Sequence, residues 1–523
     1  MSAFAGTGAL IGVILRRDRW LLGPWILLLA LYPIVEVANA TPALVELARN
    51  PGFLMLYGPL HGTSTGALAT WSSSDLLWAY GLVSLLVVIR HTRAEEETGR
   101  RELLGATVVG RHAPLTAALA VTLAANLAVG LVTALGAMAQ DLPAVGSIAL
   151  GLKLAAVGWI FAAVGAVAAQ LTESAAAARG IAGAALGAAF LLRAAGDATN
   201  TGAASWLSWL SPLAWANQLR PFAGERWWML AVVVGAVLVL TGAAAVLSVR
   251  RDVGAGMMRP GLGPPAAPSA LRGPLGLAWR LHWGPLVGWA AGFAVIGGVF
   301  GGAAKGAGDV FRESRQFEDL FERLGGQADA SDVFLAGILS ILGLAAAAYA
   351  VQAGLRLRAE EVSLRAEPVL ATPVARLRWA ASHLVFALLG PAVALAAAGL
   401  GGGLVYGLSV SEVGRELPRV LAGALAQLPG AWVLAGITIA LFGLVPRLAA
   451  GAWAAWVAAL VIWTFSAFGQ PNQALLDVSP FTHIPKLPGG HATTTPLLWL
   501  ATTAAALVGV GLAAFGHRDV GRS

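Results

Sequence analysis

Long apolar runs recur along the whole of this 523-residue chain, and they constrain its fold more than any other feature. About 20 consecutive apolar residues are enough to cross a bilayer as a helix. Only 12% of the residues are charged, whereas soluble domains average about 25%, so a water-soluble surface of this size is excluded. The alternating segments of about ten residues that build an outer-membrane barrel are absent from the sequence. The chain is therefore predicted to be an all-α polytopic membrane protein.

Six apolar runs fall in each half of the chain, and together they predict about 12 transmembrane helices. In the first half the runs cover about 20–38, 72–89, 113–137, 146–171, 176–193 and 227–248. In the second half they cover about 283–303, 333–354, 380–406, 416–444, 448–467 and 495–515. A stretch rich in Pro and Gly separates the halves, as is typical of an irregular linker. We therefore predict a first six-helix half (1–257), a linker (258–273) and a second six-helix half (274–523).

One charged segment occurs in each half. Residues 93–111 read RAEEETGRRELLGATVVGR and residues 358–376 read RAEEVSLRAEPVLATPVAR, with ten of the nineteen positions identical. These two stretches, called the charged segments below, begin 265 residues apart. Other landmarks recur in the same order: the Ser-Pro of 211–212 returns at 479–480, and the Arg-Asp-Val-Gly of 251–254 returns at 518–521. The halves are thus predicted to be parallel repeats of one unit.

The distribution of arginine predicts which side of the membrane each loop occupies. Both charged segments are rich in arginine, whereas the short connections 138–145 and 407–414 contain no Lys or Arg. Basic residues concentrate in cytoplasmic loops. The charged segments and both termini are therefore predicted to be cytoplasmic, in a multi-pass protein of the cell membrane. The net charge of +7 has the same explanation, and no nucleic-acid partner is predicted.

The charged segments themselves have two interpretations. Written as helices, they place Glu96 four residues before Arg100 and Glu361 four before Arg365, a spacing that favours ion pairs. A solvated loop that fixes topology is one interpretation, but it requires only Lys or Arg and leaves the repeated acids unexplained. A docking surface for a soluble partner explains both the basic and the acidic residues of these segments. The candidate coupling residues are Arg93, Glu95, Glu96, Arg100 and Glu102 in the first segment and Arg358, Glu360, Glu361, Arg365 and Glu367 in the second.

This arrangement resembles the type-2 permeases of ATP-binding-cassette (ABC) exporters. More narrowly, it is similar to the fused, double-length actinobacterial permeases described as polyketide-antibiotic or multidrug exporters, through the R-A-E-E-x-[ST]-x-R-x-E segments and the stretches SPLAWANQLRPFAGERWW (211–228) and SPFTHIPKLPGG (479–490). The resemblance implies that the charged segments act as coupling helices on two copies of an ATP-binding subunit. It also implies interfacial helices at 5–19 and about 272–282. Pro368 and Pro373 are expected to shorten or bend the second coupling helix.

The chain lacks the phosphate-binding sequence motif of an ATPase. No G-x-x-x-x-G-K-[ST] loop occurs, and the nearest look-alike, GGVFGGAAKGAG (297–308), lacks the final Lys-Ser/Thr and follows an apolar run instead of a strand. No enzymatic activity and no cofactor are predicted for this chain, and ATP and Mg²⁺ are expected on the partner. His483 and His491 share a loop without a metal-ligand pattern, so no metal site is predicted either.

Few charged residues fall within the apolar runs, and this limits the kinds of substrate that the chain is expected to transport. Lys153, Glu36, Arg193 and Asp75 lie near predicted outer ends, where they are expected to reach water or headgroups. An apolar path favours a lipophilic drug, antibiotic or lipid-like substrate. The predicted function is the permease subunit of an ATP-driven exporter of such molecules. A proton-coupled secondary carrier and a non-transporting scaffold for envelope assembly stay open as alternatives, although a carrier usually needs mid-membrane acids or histidines.

Overall fold

The chain forms two helical units. The computed structural model describes residues 2–42, 44–49, 51–100, 108–198, 205–252, 254–258, 266, 271, 273–312, 329–468 and 473–519. Within these residues the regular structure is helical and includes no strand. The chain divides into Met1–Leu262, called unit 1, and Gly263–Ser523, called unit 2. Most of the predicted linker 258–273 lies outside the described residues, as does Glu102.

Twelve helices among the described residues are long and apolar enough to span a membrane, which confirms the predicted all-α polytopic fold. In unit 1 they are Thr7–Asn39, Thr65–Glu97, Ala113–Met138, Ala144–Leu171, Ala175–Asp197 and Trp228–Arg250, called spans 1 to 6. In unit 2 they are Pro274–Gly306, Ala330–Val362, Arg376–Val410, Val413–Leu444, Pro446–Trp463 and Thr494–His517, called spans 7 to 12. Shorter helices are Leu44–Leu47, Pro51–Tyr57, Ser205–Leu210 and Pro212–Asn217 in unit 1, and Ala366–Leu370, Gln473–Leu476 and Pro480–His483 in unit 2.

The two units have the same internal packing. Span 4 is the central helix of unit 1, because it packs against spans 2, 3, 5 and 6, while span 1 packs mainly against span 3. In unit 2, span 10 packs against spans 8, 9, 11 and 12, and span 7 packs mainly against span 9. The spans that correspond in sequence therefore have corresponding neighbours, as expected for two copies of one ancestral unit.

Glycine allows the central helices to approach their neighbours closely. A Cβ added at Gly130 of span 3 would meet the backbone carbonyl of Gly151 in span 4, and the reverse also holds. In unit 2, a Cβ added at Gly443 of span 10 would meet the carbonyl of Gly511 in span 12, and one added at Gly511 would meet the carbonyl of Ile439 in span 10. Small residues at such crossings let membrane helices pack by backbone contact. The Ala- and Gly-rich composition of the spans thus serves tight packing within each unit.

The N-terminal ends of spans 1 and 7 differ from the expectation drawn from the family resemblance. The expected interfacial helices, 5–19 and 272–282, are not separate elements, because residues from Thr7 and from Pro274 continue into the spans as single helices. No Pro or Gly interrupts 13–22, so nothing in the local sequence ends the helix there. The stretch 297–308, which has some likeness to a phosphate loop, is likewise helical within Pro274–Arg312.

Candidate functional site: the two charged segments

Each charged segment begins in the last residues of the second span of its unit and continues beyond it, and we call that end of the unit its charged end. Span 2 breaks at Thr92, with φ −117° and ψ −82°, and Arg93–Glu97 form a separate short helix. Span 8 instead continues unbroken to Val362. Both segments then turn at equivalent positions through a left-handed residue, which is Gly99 (φ 73°) in unit 1 and Leu364 (φ 57°) in unit 2.

In unit 1 the charged segment is tied to the end of span 6 by a buried ion cluster. Arg93 Nη1 donates to Glu96 Oε2 at 2.6 Å, and Arg251 Nη2 donates to both oxygens of Glu96 at 2.9 and 3.0 Å. Arg93 and Arg251 also donate to the carbonyl of Ala255, at 2.7 and 2.9 Å. The side chains of Arg93 and Glu96 are fully buried. Buried charges persist only when they are paired and hydrogen-bonded, and this cluster meets both conditions.

Unit 2 repeats this cluster with the equivalent residues. Arg518, which corresponds to Arg251, donates to Glu361 through Nη1 and Nη2 at 2.7 and 2.8 Å. Arg358, which corresponds to Arg93, donates to Glu361 at 3.4 Å. Arg518 also lies over the rings of Phe442 and Phe515, at 4.9 and 5.2 Å from their centroids, where cation–π attraction adds to the ion pair. We call Glu96–Arg251 and Glu361–Arg518 the two clamps.

A second ion pair is also repeated, and it differs from the predicted one. Glu96 and Glu361 belong to the clamps, whereas the spacing of four residues predicted that they pair with Arg100 and Arg365. In the structure Arg100 lies 3.6 Å from Glu95, and Arg365 lies 3.6 Å from Glu360. The prediction of pairs at i and i+4 was wrong because a buried, bidentate partner on the last span outcompetes an exposed neighbour on the same helix.

Comparison with known proteins identifies the family. The chain is 44% identical over 532 aligned positions to the "Multidrug efflux system permease protein Rv1217c" of Mycobacterium tuberculosis (strain ATCC 25618 / H37Rv), covering 99% of this chain and 96% of that protein. A family model described as "Multidrug efflux system permease Rv1217c, C-terminal domain" matches residues 271–516.

The chain belongs to the Rv1217c family of multidrug efflux system permeases.

This membership agrees with the resemblance to the permeases of ABC multidrug exporters that the charged segments first suggested. It makes the chain a multi-pass membrane transport protein. The matched family model covers most of unit 2, including the charged segment 358–376 with Glu361.

The permease exposes only part of each charged segment. Arg93, Glu96, Glu360 and Glu361 are buried, and Glu95 and Arg358 are partly buried. Glu97, Thr98 and Arg100 are exposed in unit 1. In unit 2 the exposed residues include Val362, Ser363, Leu364, Arg365 and Glu367. Of the ten candidate coupling residues, the exposed Arg100, Arg365 and Glu367 are therefore available to a partner, while the buried ones hold the segment in place.

Beyond its left-handed turn, the second segment forms a short helix. This helix, Ala366–Leu370, is only five residues long and contains Pro368. The expectation that proline shortens or bends the second coupling helix relative to the first stays a prediction. The corresponding residues 101–107 of unit 1 lie outside the described residues.

Span 1 of the permease contacts the first charged segment through a cluster that sequence reasoning missed. Asp18, 1% exposed, lies 2.8 Å from His91 and 3.0 Å from Arg90, both at the end of span 2. Arg17 donates to Glu95 at 2.8 Å and lies 3.1 Å from His91. The sequence did contain a signal for this cluster. Asp18 is an acid within the basic run Arg16–Arg19, and a buried carboxylate requires cationic partners. Unit 1 therefore fixes its segment at both span 1 and span 6.

Unit 2 has no such acid in the corresponding helix. At the offset of 263 residues that relates Trp20 to Trp283, Leu281 stands in the place of Asp18. Nearby, the rings of His282 and His383 meet at 3.0 Å between Nε2 and Nδ1, and His282 stacks on Phe386. The clamp is thus the feature common to both units, whereas the contact to the first span of each unit has diverged.

Proposed function

We propose that this permease is the membrane subunit of an ATP-driven ABC exporter, and that each charged segment docks a copy of a separate ATP-binding subunit. The observation that supports this most directly is the repeated clamp. A segment that only fixes topology has no need of a buried, bidentate connection to the last span of its unit. A segment that receives mechanical force does need one, because force applied to a loosely attached loop would not move the bundle.

The division between buried and exposed residues supports the same proposal. The tip of the second segment combines exposed apolar residues, Val362 and Leu364, with exposed charges, Arg365 and Glu367. A rim of charge around an apolar centre is the usual composition of a protein–protein interface. In unit 1, Thr98 and Arg100 occupy the positions of Ser363 and Arg365. Two docking surfaces of similar character account for two copies of one ATPase subunit.

A lipophilic cargo suits the composition of the spans, and we propose drugs, antibiotics or lipid-like molecules. At the charged end of unit 1 a cavity that is open to the surface is lined by apolar residues such as Leu10, Ile14 and Leu115, together with Arg17 and Glu95. Its mixed lining suits an amphiphile. In this proposal the charged ends and both termini face the cytoplasm, and export proceeds toward the opposite end.

Reconstitution tests the proposal. The permease is purified together with an ATP-binding subunit from the same organism, incorporated into vesicles, and assayed for movement of a lipophilic dye with and without ATP. We expect transport that requires both the ATPase and ATP hydrolysis. Transport by the permease alone that responds to a proton gradient would favour a secondary carrier. Stable partner binding without any movement of dye would favour a scaffold.

A further inference from the structure

A polar cavity lies in unit 1 at the end opposite to the charged end, and the proposed function makes no use of it. The cavity has a volume of about 290 Å³, including the part that is open to the surface. It lies beside the start of span 2, and residues of span 4 and of the loop before span 6 complete it. Its polar lining includes His61, Thr70, Lys153, Asn217 and Arg220.

Lys153 supplies a buried positive charge to this cavity. It was expected to reach water or headgroups, but it is 2% exposed. Its ammonium group donates to Ser74 Oγ at 2.7 Å and to the carbonyl of Thr70 at 3.3 Å, which leaves one of its three N–H groups unused. No carboxylate pairs with Lys153 within the part of the chain that the structure describes. A buried ammonium without a counter-charge is costly, so a negative group is the expected ligand.

Further unpartnered polar atoms surround the same space. Arg220 Nε, His61 Nε2, Thr70 Oγ1 and both side-chain polar atoms of Asn217 are buried without a hydrogen-bond partner among the described residues. Buried polar atoms in proteins are nearly always satisfied, so a group of them around one cavity indicates a ligand with several acceptor atoms. Arg220 also has a left-handed backbone, with φ 54°. Such strain in a residue with a β-carbon is typical of functional positions.

The charge-bearing side chains that line the cavity, Lys153 and Arg220, are both basic. Burial, together with Arg220, Lys153 and nearby Arg226, lowers the pKa of His61 to about 4. No Asp or Glu is among the residues that line the cavity. The one nearby acid in the loop before span 6, Glu225, accepts a hydrogen bond from the backbone of Phe222 at 3.0 Å.

Unit 2 provides an internal comparison, because it has lost this chemistry. At the offset of 268 residues that relates Ser211 to Ser479, the equivalents of Asn217 and Arg220 are Pro485 and Pro488. Neither replacement has a charge or a side-chain donor. These two cavity residues are therefore not required by the shared fold, and they belong to a feature specific to unit 1.

We propose that this cavity binds a phosphate group. Ammonium, guanidinium, amide and hydroxyl donors from four parts of the chain match an anion with several acceptor oxygens. The space is small for a whole drug molecule. It lies near the ends at which spans 2, 4 and 6 begin. The exposed Trp227 and Trp228 stand at the start of span 6, and aromatic residues of this kind mark the headgroup level of a bilayer. The phosphate comes either from a phospholipid headgroup or from solution.

Two binding measurements on the delipidated, full-length permease in detergent test this proposal and separate the two sources. Native mass spectrometry counts the phosphatidylglycerol molecules bound after this lipid is added back, and the melting temperature is followed during a titration with inorganic phosphate against sodium chloride of equal ionic strength. The variants are Arg220→Gln and Lys153→Met. The matched control is Arg49→Gln, because Arg49 lies at the same end of unit 1 but is exposed and pairs with Glu46 at 2.9 Å.

We expect wild type and Arg49→Gln to bind one of the two ligands equally well, and Arg220→Gln to bind it about tenfold or more weakly, since a charge-assisted donor is lost. Saturation by phosphatidylglycerol alone assigns the site to a headgroup, and saturation by inorganic phosphate assigns it to the free ion. The proposal is overturned if neither ligand binds wild type, or if both cavity variants bind like wild type. Because no ATPase is present, failure here leaves the proposed transport function untouched.

Discussion

Arg518 donates from both of its terminal nitrogens to the two carboxylate oxygens of Glu361, at 2.7 and 2.8 Å, across 157 residues of chain. In the other unit Arg251 joins Glu96 across 155 residues, with Nη2 donating to both carboxylate oxygens. Two clamps at equivalent places explain why an otherwise apolar chain retains two copies of an acidic and basic segment. Each clamp makes the charged segment and the last span of its unit behave as one mechanical piece.

Removal of the clamp arginine should destabilise the permease. Arg518→Ala leaves the buried Glu361 with only the longer contact from Arg358, and loss of one partner of a buried ion pair costs about 3 kcal/mol. Arg518→Lys should recover only part of this, because an ammonium cannot donate bidentately to a carboxylate. Thermal unfolding in detergent, followed by size-exclusion chromatography, measures both effects.

The control for this prediction is Arg415→Ala, because the side chain of Arg415 is 68% exposed and pairs with Glu412 at the surface. Exposed pairs contribute at most about 1 kcal/mol. If Arg518→Ala melted at the same temperature as Arg415→Ala, the clamp would have no structural role.

The left-handed turn of the second charged segment should accommodate glycine better than the native Leu364. Leu364 has φ 57° where unit 1 has Gly99 at φ 73°, and a left-handed conformation strains a residue with a β-carbon. Leu364→Gly is expected to raise the stability by about 0.5–1 kcal/mol after the entropic cost of glycine. Val362→Gly, at the end of the adjoining helix, is the matched control and should lower it. A loss of stability in Leu364→Gly would show that contacts of the leucine side chain outweigh the backbone strain.

Acid should weaken the permease through His61. Its folded-state pKa is lowered to about 4 from 6.5, so the unfolded chain binds the proton more readily. Above pH 6.5 the histidine is neutral in both states, so it does not change the free energy of unfolding. As the pH falls from 6.5 toward 4, only the unfolded chain takes up the proton, and the folded permease loses stability. Between pH 7 and pH 5 the loss amounts to about 2 kcal/mol. The variant His61→Gln has no titrating group at this position. Between pH 7 and pH 5 the melting temperature of wild type should therefore fall more than that of the variant. Equal pH dependence in both proteins would contradict the burial of His61.

The fold was largely predictable from the sequence because transmembrane helices are local features. Apolar runs of sufficient length predicted the twelve spans, and the internal repeat predicted that they form two groups of six. The partners within the candidate site were not predictable, because Glu96 and Arg251 meet only when spans 2 and 6 are packed around span 4. Local helical spacing pointed to Arg100 instead. Arg251 and Arg518 were recognised as repeated landmarks, but a repeat does not reveal what a residue contacts. Lys153 was similarly noticed as a charge, while the direction of its side chain depends on the tertiary packing.

The most direct test of the docking proposal is site-specific photo-crosslinking from Thr98 and Ser363. These residues occupy equivalent positions, are exposed, and lie next to the clamps without belonging to them. A photoreactive amino acid at either position should give an adduct with the ATP-binding subunit in membranes, while the same probe at exposed Asp141, at the opposite end of unit 1, should give none. Adducts from Asp141 alone, or none from Thr98 and Ser363 while the ATPase co-purifies with the permease, would contradict the account.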